Sequence, residues 1–299
     1  MITWPDVERI THGELGRTFR LACPFCSSTR RQANQRKPVF AVKLKEPDFA
    51  IYRCAHCEAS GYVHPDKPQQ WTTDLAELRR RRALAERREL DDKQQRTASA
   101  LKLWEERKPF FGSPADTYLR VTRGIGDWLD SFALEDLGFH PNCPFGVERL
   151  PCMLALVRDI KTDAPVAIHR TALKLHDYRP EKIDRKSLGP VSGGAIKISQ
   201  HCEITHGLLV AEGIETALSA SKKLNSKPVW SLISTANLRT FPVLSGIECL
   251  IVAVDNDPDG IAAADECIRR QLEGGIEVIS SQPNRAKDFN DIITGKTNG

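Results

Sequence analysis

No apolar run approaches the roughly 18 consecutive residues that a membrane span requires, and Met1-Ile-Thr-Trp-Pro5 lacks the charged-then-apolar pattern of a secretory leader. These absences argue against a helical membrane protein and predict a cytoplasmic one. A phosphate loop is missing too. Gly295-Lys-Thr297 has Asn290 where that motif places its first glycine, and no strand-to-helix setting follows. No internal repeat is visible. Glycine and proline vanish between Thr73 and Lys108, a stretch dense in Arg, Ala, Leu and Glu, which predicts a long exposed helix with Thr73 or Asp74 as N-cap and Pro109 as its stop. Its Arg79-Arg-Arg-Arg82 run, with Arg87 and Arg88, fits either phosphate contact or a solvated face partnered by Glu77, Glu86 and Glu89.

What is present suffices for a core. The chain has 299 residues, 40% apolar and 27% charged, with room for about two domains. Its net charge of +4 is unevenly spread: residues 1–110 hold 22 Lys+Arg against 15 Asp+Glu (+7), leaving 21 against 24 (−3). A basic N-terminal part joined to an acidic remainder suits a protein that grips a polyanion at one end and does metal chemistry at the other.

Nine cysteines fall into two populations. Cys23-Pro-Phe-Cys26 and Cys54-Ala-His-Cys57 are C-x-x-C knuckles, each able to give two thiolates from one tight turn, and together they predict a tetrahedral structural zinc site. The 27 intervening residues read as two strands, Val39–Leu44 and Phe49–Arg53, turned at Glu46-Pro-Asp48, so the module is a zinc ribbon with a long hairpin. Redox C-x-x-C pairs are disfavoured because neither knuckle begins a helix in a βαβ context. Cys143, Cys152, Cys202, Cys249 and Cys267 lack ligand spacing and are expected to be buried free thiols. Phe40, Phe49 or Tyr52 could stack on single-stranded bases or form the ribbon's small core. His12, His56 and His64 lie nearby as surface or nucleic-acid-contacting residues.

The last third carries the chemistry. Glu212 ends the apolar run Gly207–Ala211, and Asp255 and Asp257 follow Leu250–Val254. Short β-rich runs bounded by turn residues read as buried parallel strands, whose carboxyl ends face a ligand crevice in open α/β sheets. Crowded carboxylates repel unless a cation lies among them, and an all-oxygen set suits Mg²⁺ or Mn²⁺. The bland alternative makes Asp255 and Asp257 turn and N-cap residues of the helix opened by Pro258-Asp-Gly260. Strand and helix alternate from 207 to 293, indicating a small parallel sheet with right-handed crossovers. Upstream, Met153–Val157 and Val166–Arg170 form a predicted hairpin, and Ala115–Leu119 begins a short helix.

These segments resemble the DnaG-type primases of bacteria, phages and mobile elements, built on the Toprim domain. The resemblance rests on Leu208-Leu-Val-Ala-Glu-Gly-Ile-Glu-Thr-Ala217 and Val254-Asp-Asn-Asp-Pro-Asp-Gly260. It extends upstream to Tyr118-Leu119, Arg123-Gly124-Ile125, Leu137-Gly-Phe-His-Pro141 and Lys186-Ser-Leu-Gly-Pro190. It implies an α/β (α+β overall) architecture: zinc ribbon at 1–70, helical linker at 71–108, N-terminal primase-core segment with a basic groove at 109–202, and a Rossmann-like Toprim sheet at 203–299. It also implies Glu212, Asp255, Asp257 and Asp288 as magnesium or manganese ligands, with Glu212 as ligand or proton acceptor, and Arg170, Lys174, Lys186 and Lys197 as nucleotide- and template-binding cations. Single-stranded DNA, ribonucleoside triphosphates and a replicative helicase are the implied partners.

The chain departs from the family pattern in three places. The ribbon has four cysteines rather than Cys-His-Cys-Cys, Thr216 stands where an acid is expected with Glu215 one place earlier, and the third acidic motif is Lys287-Asp-Phe-Asn-Asp291. A RecR-like DNA-binding protein is disfavoured by the long finger and the lack of a helix-hairpin-helix. A Toprim nuclease stays open, whereas a topoisomerase would need a tyrosine nucleophile, and Tyr52, Tyr62, Tyr118 and Tyr178 all precede the Toprim segment.

Overall fold

A computed structural model describes residues 2–65, 75–176, 179–284 and 286–296. The expected N-cap at Thr73 or Asp74 and the side chains of Glu77, Arg79 and Arg81 lie outside what is described. The chain divides into two compact units, residues 1–94 and 95–299.

In the first unit, helix α1 (Trp4–Thr11) precedes a four-stranded antiparallel sheet of β1 (Thr18–Leu21), β2 (Phe40–Glu46), β3 (Phe49–Cys54) and β4 (Ser60–Val63), paired in chain order. Strict alternation sorts its two faces. Phe40, Val42, Leu44, Ala50, Cys54 and Val63 are buried with Val7 of α1, while their neighbours point away. The predicted hairpin is β2–β3, and β1 and β4 extend it on either side. Helix α2 (Leu75–Glu105) follows, free of helix breakers, and the unit boundary falls within it.

The second unit opens with α2's last turns, where Ala100, Leu103 and Trp104 pack against Cys143, Leu154 and Ile168. A one-turn helix α3 (Pro114–Thr117), N-capped by Ser113, runs into a π-helical turn at Tyr118–Thr122. An antiparallel sheet then forms from β5 (Leu137–Phe145), β6 (Glu148–Asp159), β7 (Pro165–Lys174) and β8 (Glu181–Leu188), with the short β9 (Gly194–Ala195) pairing with β6. Finally comes a parallel sheet: β10 (Gly207–Ala211), α4 (Ile214–Leu224), β11 (Val229–Ser231), α5 (Thr235–Arg239), β12 (Cys249–Ala253), α6 (Pro258–Glu273), β13 (Glu277–Ser281) and α7 (Phe289–Thr294). Its four strands run in the order β11-β10-β12-β13. One apolar cluster joins the two sheets, from Met153 and Leu173 through Leu209 and Leu218 to Phe289.

All nine cysteines are free, but the expectation of five buried thiols holds only for Cys143, Cys152 and Cys267. Cys249 is half-buried and Cys202 is exposed, on a 3₁₀ turn at the surface. Among the described residues, no helix is long and apolar enough to cross a membrane.

Candidate active site and cysteine centre

The order of the parallel sheet reverses between β10 and β12, because β11 lies on one side of β10 and β12 on the other. Such a reversal opens a crevice at the strands' carboxyl ends. Ala211 lies opposite Ala253, so Glu212 and Asp255 leave the sheet from adjacent strand ends.

Asp257 caps α6, its Oδ1 accepting from the Gly260 N–H at 2.8 Å. A Cβ on Gly260 would stand 2.7 Å from the Asp255 carbonyl oxygen, so this turn requires glycine. Asp288 caps α7 in the same way, with its Oδ1 accepting from Asp291 N at 2.8 Å. The Asn256 N–H donates to the Lys287 carbonyl at 2.7 Å and holds the loop before α7 beside the end of β12. The bland alternative is therefore correct for Asp257 as a cap, yet capping uses one carboxylate oxygen and leaves the second. Asp255 differs: its Oδ1 is buried and has no hydrogen-bond partner among the described residues.

The electrostatics match. Burial, reinforced by Asp288, Glu212 and Asp257, pushes Asp255 up to about 7, while the Thr216 hydroxyl pulls the other way. Burial also raises Glu212, with Asp257 adding to the rise and Arg185 and Lys287 opposing it. A buried, partnerless carboxylate oxygen beside three more acids is a site that a hard cation would relieve. The backbone holds Glu212 in place: its carbonyl accepts from Ser231 Oγ at 2.9 Å and from Ile233 N at 2.7 Å. Ile233 adopts a left-handed φ of 74°, a strained conformation for a β-branched residue.

Glu215 forms a second acidic centre. Its carboxylate accepts from Tyr118 Oη at 2.7 Å and Lys182 Nζ at 3.1 Å, with Arg123 at 4.0 Å. Burial would raise this carboxyl, but the charges of Lys182 and Arg123 and the Tyr118 hydroxyl outweigh it and hold it at about 2. Arg123 also donates to Tyr118 Oη at 2.7 Å and to Asn290 Oδ1 at 3.1 Å, linking the π-helical turn to α7.

The four cations expected at the substrate do not gather at the acids. Lys197 is fully buried, 2.6 Å from Asp163 and over the Trp230 ring. Arg170 is buried too and donates to the carbonyls of Pro144 and Ser187. Lys186 lies over Phe145 and near Asp184, and Lys174 is exposed near the end of β7. Lys182 and Arg185 of β8 reach the acids instead, Arg185 standing 3.5 Å from Glu212. Adjacent strand residues point to opposite faces, so Arg185 and Lys186 cannot both face the crevice, whereas a bulge at Ile183 brings Lys182 onto the side of Arg185. The sequence shows the basic run but not its parity.

In the first unit the sulfurs of Cys23, Cys26, Cys54 and Cys57 all lie within 4.8 Å of one another, Cys23–Cys57 at 3.8 Å and Cys26–Cys54 at 3.9 Å. Metal–sulfur bonds of about 2.3 Å in a regular tetrahedron place sulfurs about 3.8 Å apart, so the set fits a thiophilic ion. Backbone N–H groups of Phe25 and His56 point at Cys23 and Cys54 (3.4 and 3.3 Å), as thiolate ligands require. Among the described residues, this is the one group of candidate ligands whose atoms converge so closely.

Residues 207–298 match the family described as Toprim domain, and residues 94–198 match a domain of unknown function (DUF7146). No curated protein matches. Three similar solved structures are primase fragments. That of bacteriophage T7 primase-helicase is 18% identical, covers 58% of this chain and 68% of its own, and has a TM-score of 0.43. The Aquifex aeolicus primase, with zinc-binding and RNA polymerase domains, is 13% identical over 99% of this chain and 83% of its own, at 0.45. A Pseudomonas aeruginosa primase domain is 12% identical over 68% and 75%, at 0.42.

Proposed function

We propose that this chain, whose residues 207–298 are a Toprim domain, is a DNA primase that makes short RNA primers on single-stranded DNA. The observation that carries the proposal is the carboxylate group at the sheet reversal, where Asp255 keeps a buried, unpartnered oxygen among Glu212, Asp257 and Asp288. The four-cysteine ribbon in the same chain favours a template-binding polymerase over a bare Toprim nuclease, and its all-sulfur ligand set suits zinc. The domain limits 1–70, 71–108, 109–202 and 203–299 belong to the same proposal, as do a cytoplasmic location and a helicase partner.

A Mg²⁺ or Mn²⁺ ion held by Glu212, Asp255, Asp257 and Asp288 would neutralise a triphosphate and acidify the attacking hydroxyl. Asp257 and Asp288 offer the carboxylate oxygens their helix caps leave free. Glu212, raised by burial, either joins them or accepts the proton of the attacking 3′-hydroxyl on its carboxylate. Lys182 and Arg185 supply positive charge beside Glu215 and Glu212. Lys174 and Lys186, exposed on β7 and β8, remain candidates for the template backbone. Lys197 and Arg170 are engaged inside the fold.

The test is incubation with single-stranded DNA, ribonucleoside triphosphates and Mg²⁺ or Mn²⁺, scored for short labelled products. Asp255→Asn should abolish synthesis; no product on any template, or an active variant, refutes the assignment. DNA cleavage under those conditions would favour the nuclease, and binding without either reaction a RecR-like role.

A further inference from the structure

Two ion pairs tie β8 to the junction of β10 and α4, and they differ in kind. Lys182–Glu215 is the fixed one: Glu215 also accepts from Tyr118, and its side chain is only 13% exposed. Arg185–Glu212 is the loose one, 3.5 Å long, with the guanidinium half exposed. Glu212 carries the Toprim acid and Glu215 does not, so the loose pair alone occupies a carboxylate that the proposed function needs. Arg185 stands three residues from the Lys182 anchor on an edge strand, which lets it move while the strand's start stays fixed.

We propose that Arg185 is a cation stand-in on Glu212, exchanged for the divalent ion when that ion binds. Its release leaves the guanidinium at the rim of the crevice, free to take an anion of the polyphosphate class. Arg185 is then a positioning residue that links metal entry to phosphate capture. This inference rests on the proposed metal role of Glu212 and Asp255. It predicts behaviour a purely structural arginine would not show, since removing a structural contact loosens a site, whereas removing a competitor tightens it.

The experiment measures Mn²⁺ binding to the zinc-loaded full chain by electron paramagnetic resonance, without nucleotide. Arg185→Ala should bind Mn²⁺ about two- to fivefold more tightly than wild type, the size expected for removing a partly exposed ion pair. Arg185→Lys should restore wild-type affinity, and Lys182→Ala should not tighten binding, because Glu215 is not a ligand. With saturating Mn²⁺, calorimetric affinity for inorganic tripolyphosphate should fall in Arg185→Ala and recover in Arg185→Lys. Unchanged or weaker Mn²⁺ binding in Arg185→Ala overturns this inference alone. Mn²⁺ binding that survives Asp255→Asn unchanged overturns the metal assignment, and this inference with it.

Discussion

Glu215 and Asp255 answer pH in opposite directions. Glu215 is held at about 2 in the fold against an ordinary 4.5, so the stability it contributes is complete above 4.5 and drains away as pH falls toward 2. At about 1.4 kcal/mol per pKa unit this amounts to roughly 3 kcal/mol. Urea unfolding of wild type and Glu215→Gln should differ at pH 7 and converge near pH 2, and a gap independent of pH would deny the ion-pair network that role. Asp255 is displaced upward, from 3.8 to about 7, so its folded form is favoured below 4 and loses stability as pH rises through 7. Asp255→Asn should therefore be more stable than wild type at pH 8 without divalent cation, by on the order of 2 kcal/mol. Magnesium should raise the urea midpoint of the wild type alone. Lys197 provides a contrast: it is buried over Trp230, but its partner Asp163 is 45% exposed, so Lys197→Met would leave that carboxylate in water rather than stranded and should cost little stability or DNA affinity.

At the scale of elements, the parallel sheet was legible because β10, β11 and β12 lie in short apolar runs ended by a turn or acid, and the knuckles were legible because cysteine spacing encodes geometry directly. The antiparallel sheet was half hidden. β8 (Glu181–Leu188) is exposed almost throughout, so no apolar alternation marks it, and its cations could be assigned to a face only once its register against β7 was known. β5 contains two prolines and a bulge, which mask its strand character. The acids were legible, and so was the cap at Asp257 ahead of Pro258-Asp-Gly260; the cap at Asp288 and the unpartnered oxygen of Asp255 were not, since they depend on how the strand ends and α7 meet in space. The ribbon yields a direct prediction. Its buried cluster is only about ten residues, including three of the cysteines, so the bound metal should carry its folding, a contribution on the order of 10 kcal/mol. Elemental analysis should find about one zinc per chain. The Cys23→Ser, Cys26→Ser variant should lose it and become protease-sensitive within residues 1–65 while 95–296 stay resistant; a resistant ribbon would mean its apolar core suffices.

At the scale of the whole molecule, the DNA affinity proposed for this chain belongs with the N-terminal part, which carries +7 over residues 1–110 against −3 beyond. The ribbon sheet offers a surface for it. Cross-strand pairing aligns Arg20, Ala41, Arg53 and Ser60 in one row and Thr18, Lys43, Ile51 and Tyr62 in the next, both on the face away from the core. Those two rows hold three cations and no carboxylate. Phe40, a candidate for stacking on bases, is buried, and Tyr52 is half-buried between it and the exposed Phe25, whereas Tyr62 is 69% exposed and packs with Phe49 and His64. Single-stranded binding should therefore divide into two measurable parts. Removing Arg20, Lys43 and Arg53 together should flatten the salt dependence, by about 0.7 in the log–log slope for each phosphate no longer neutralised, about 2 in all. Tyr62→Ala should leave the slope alone and lower affinity at every salt concentration, by about 1 to 3 kcal/mol if a base stacks there. Fluorescence titrations of a labelled oligonucleotide from low to high salt separate the two effects. An unchanged slope in the triple variant would move DNA binding off this face and onto the cations of the second unit.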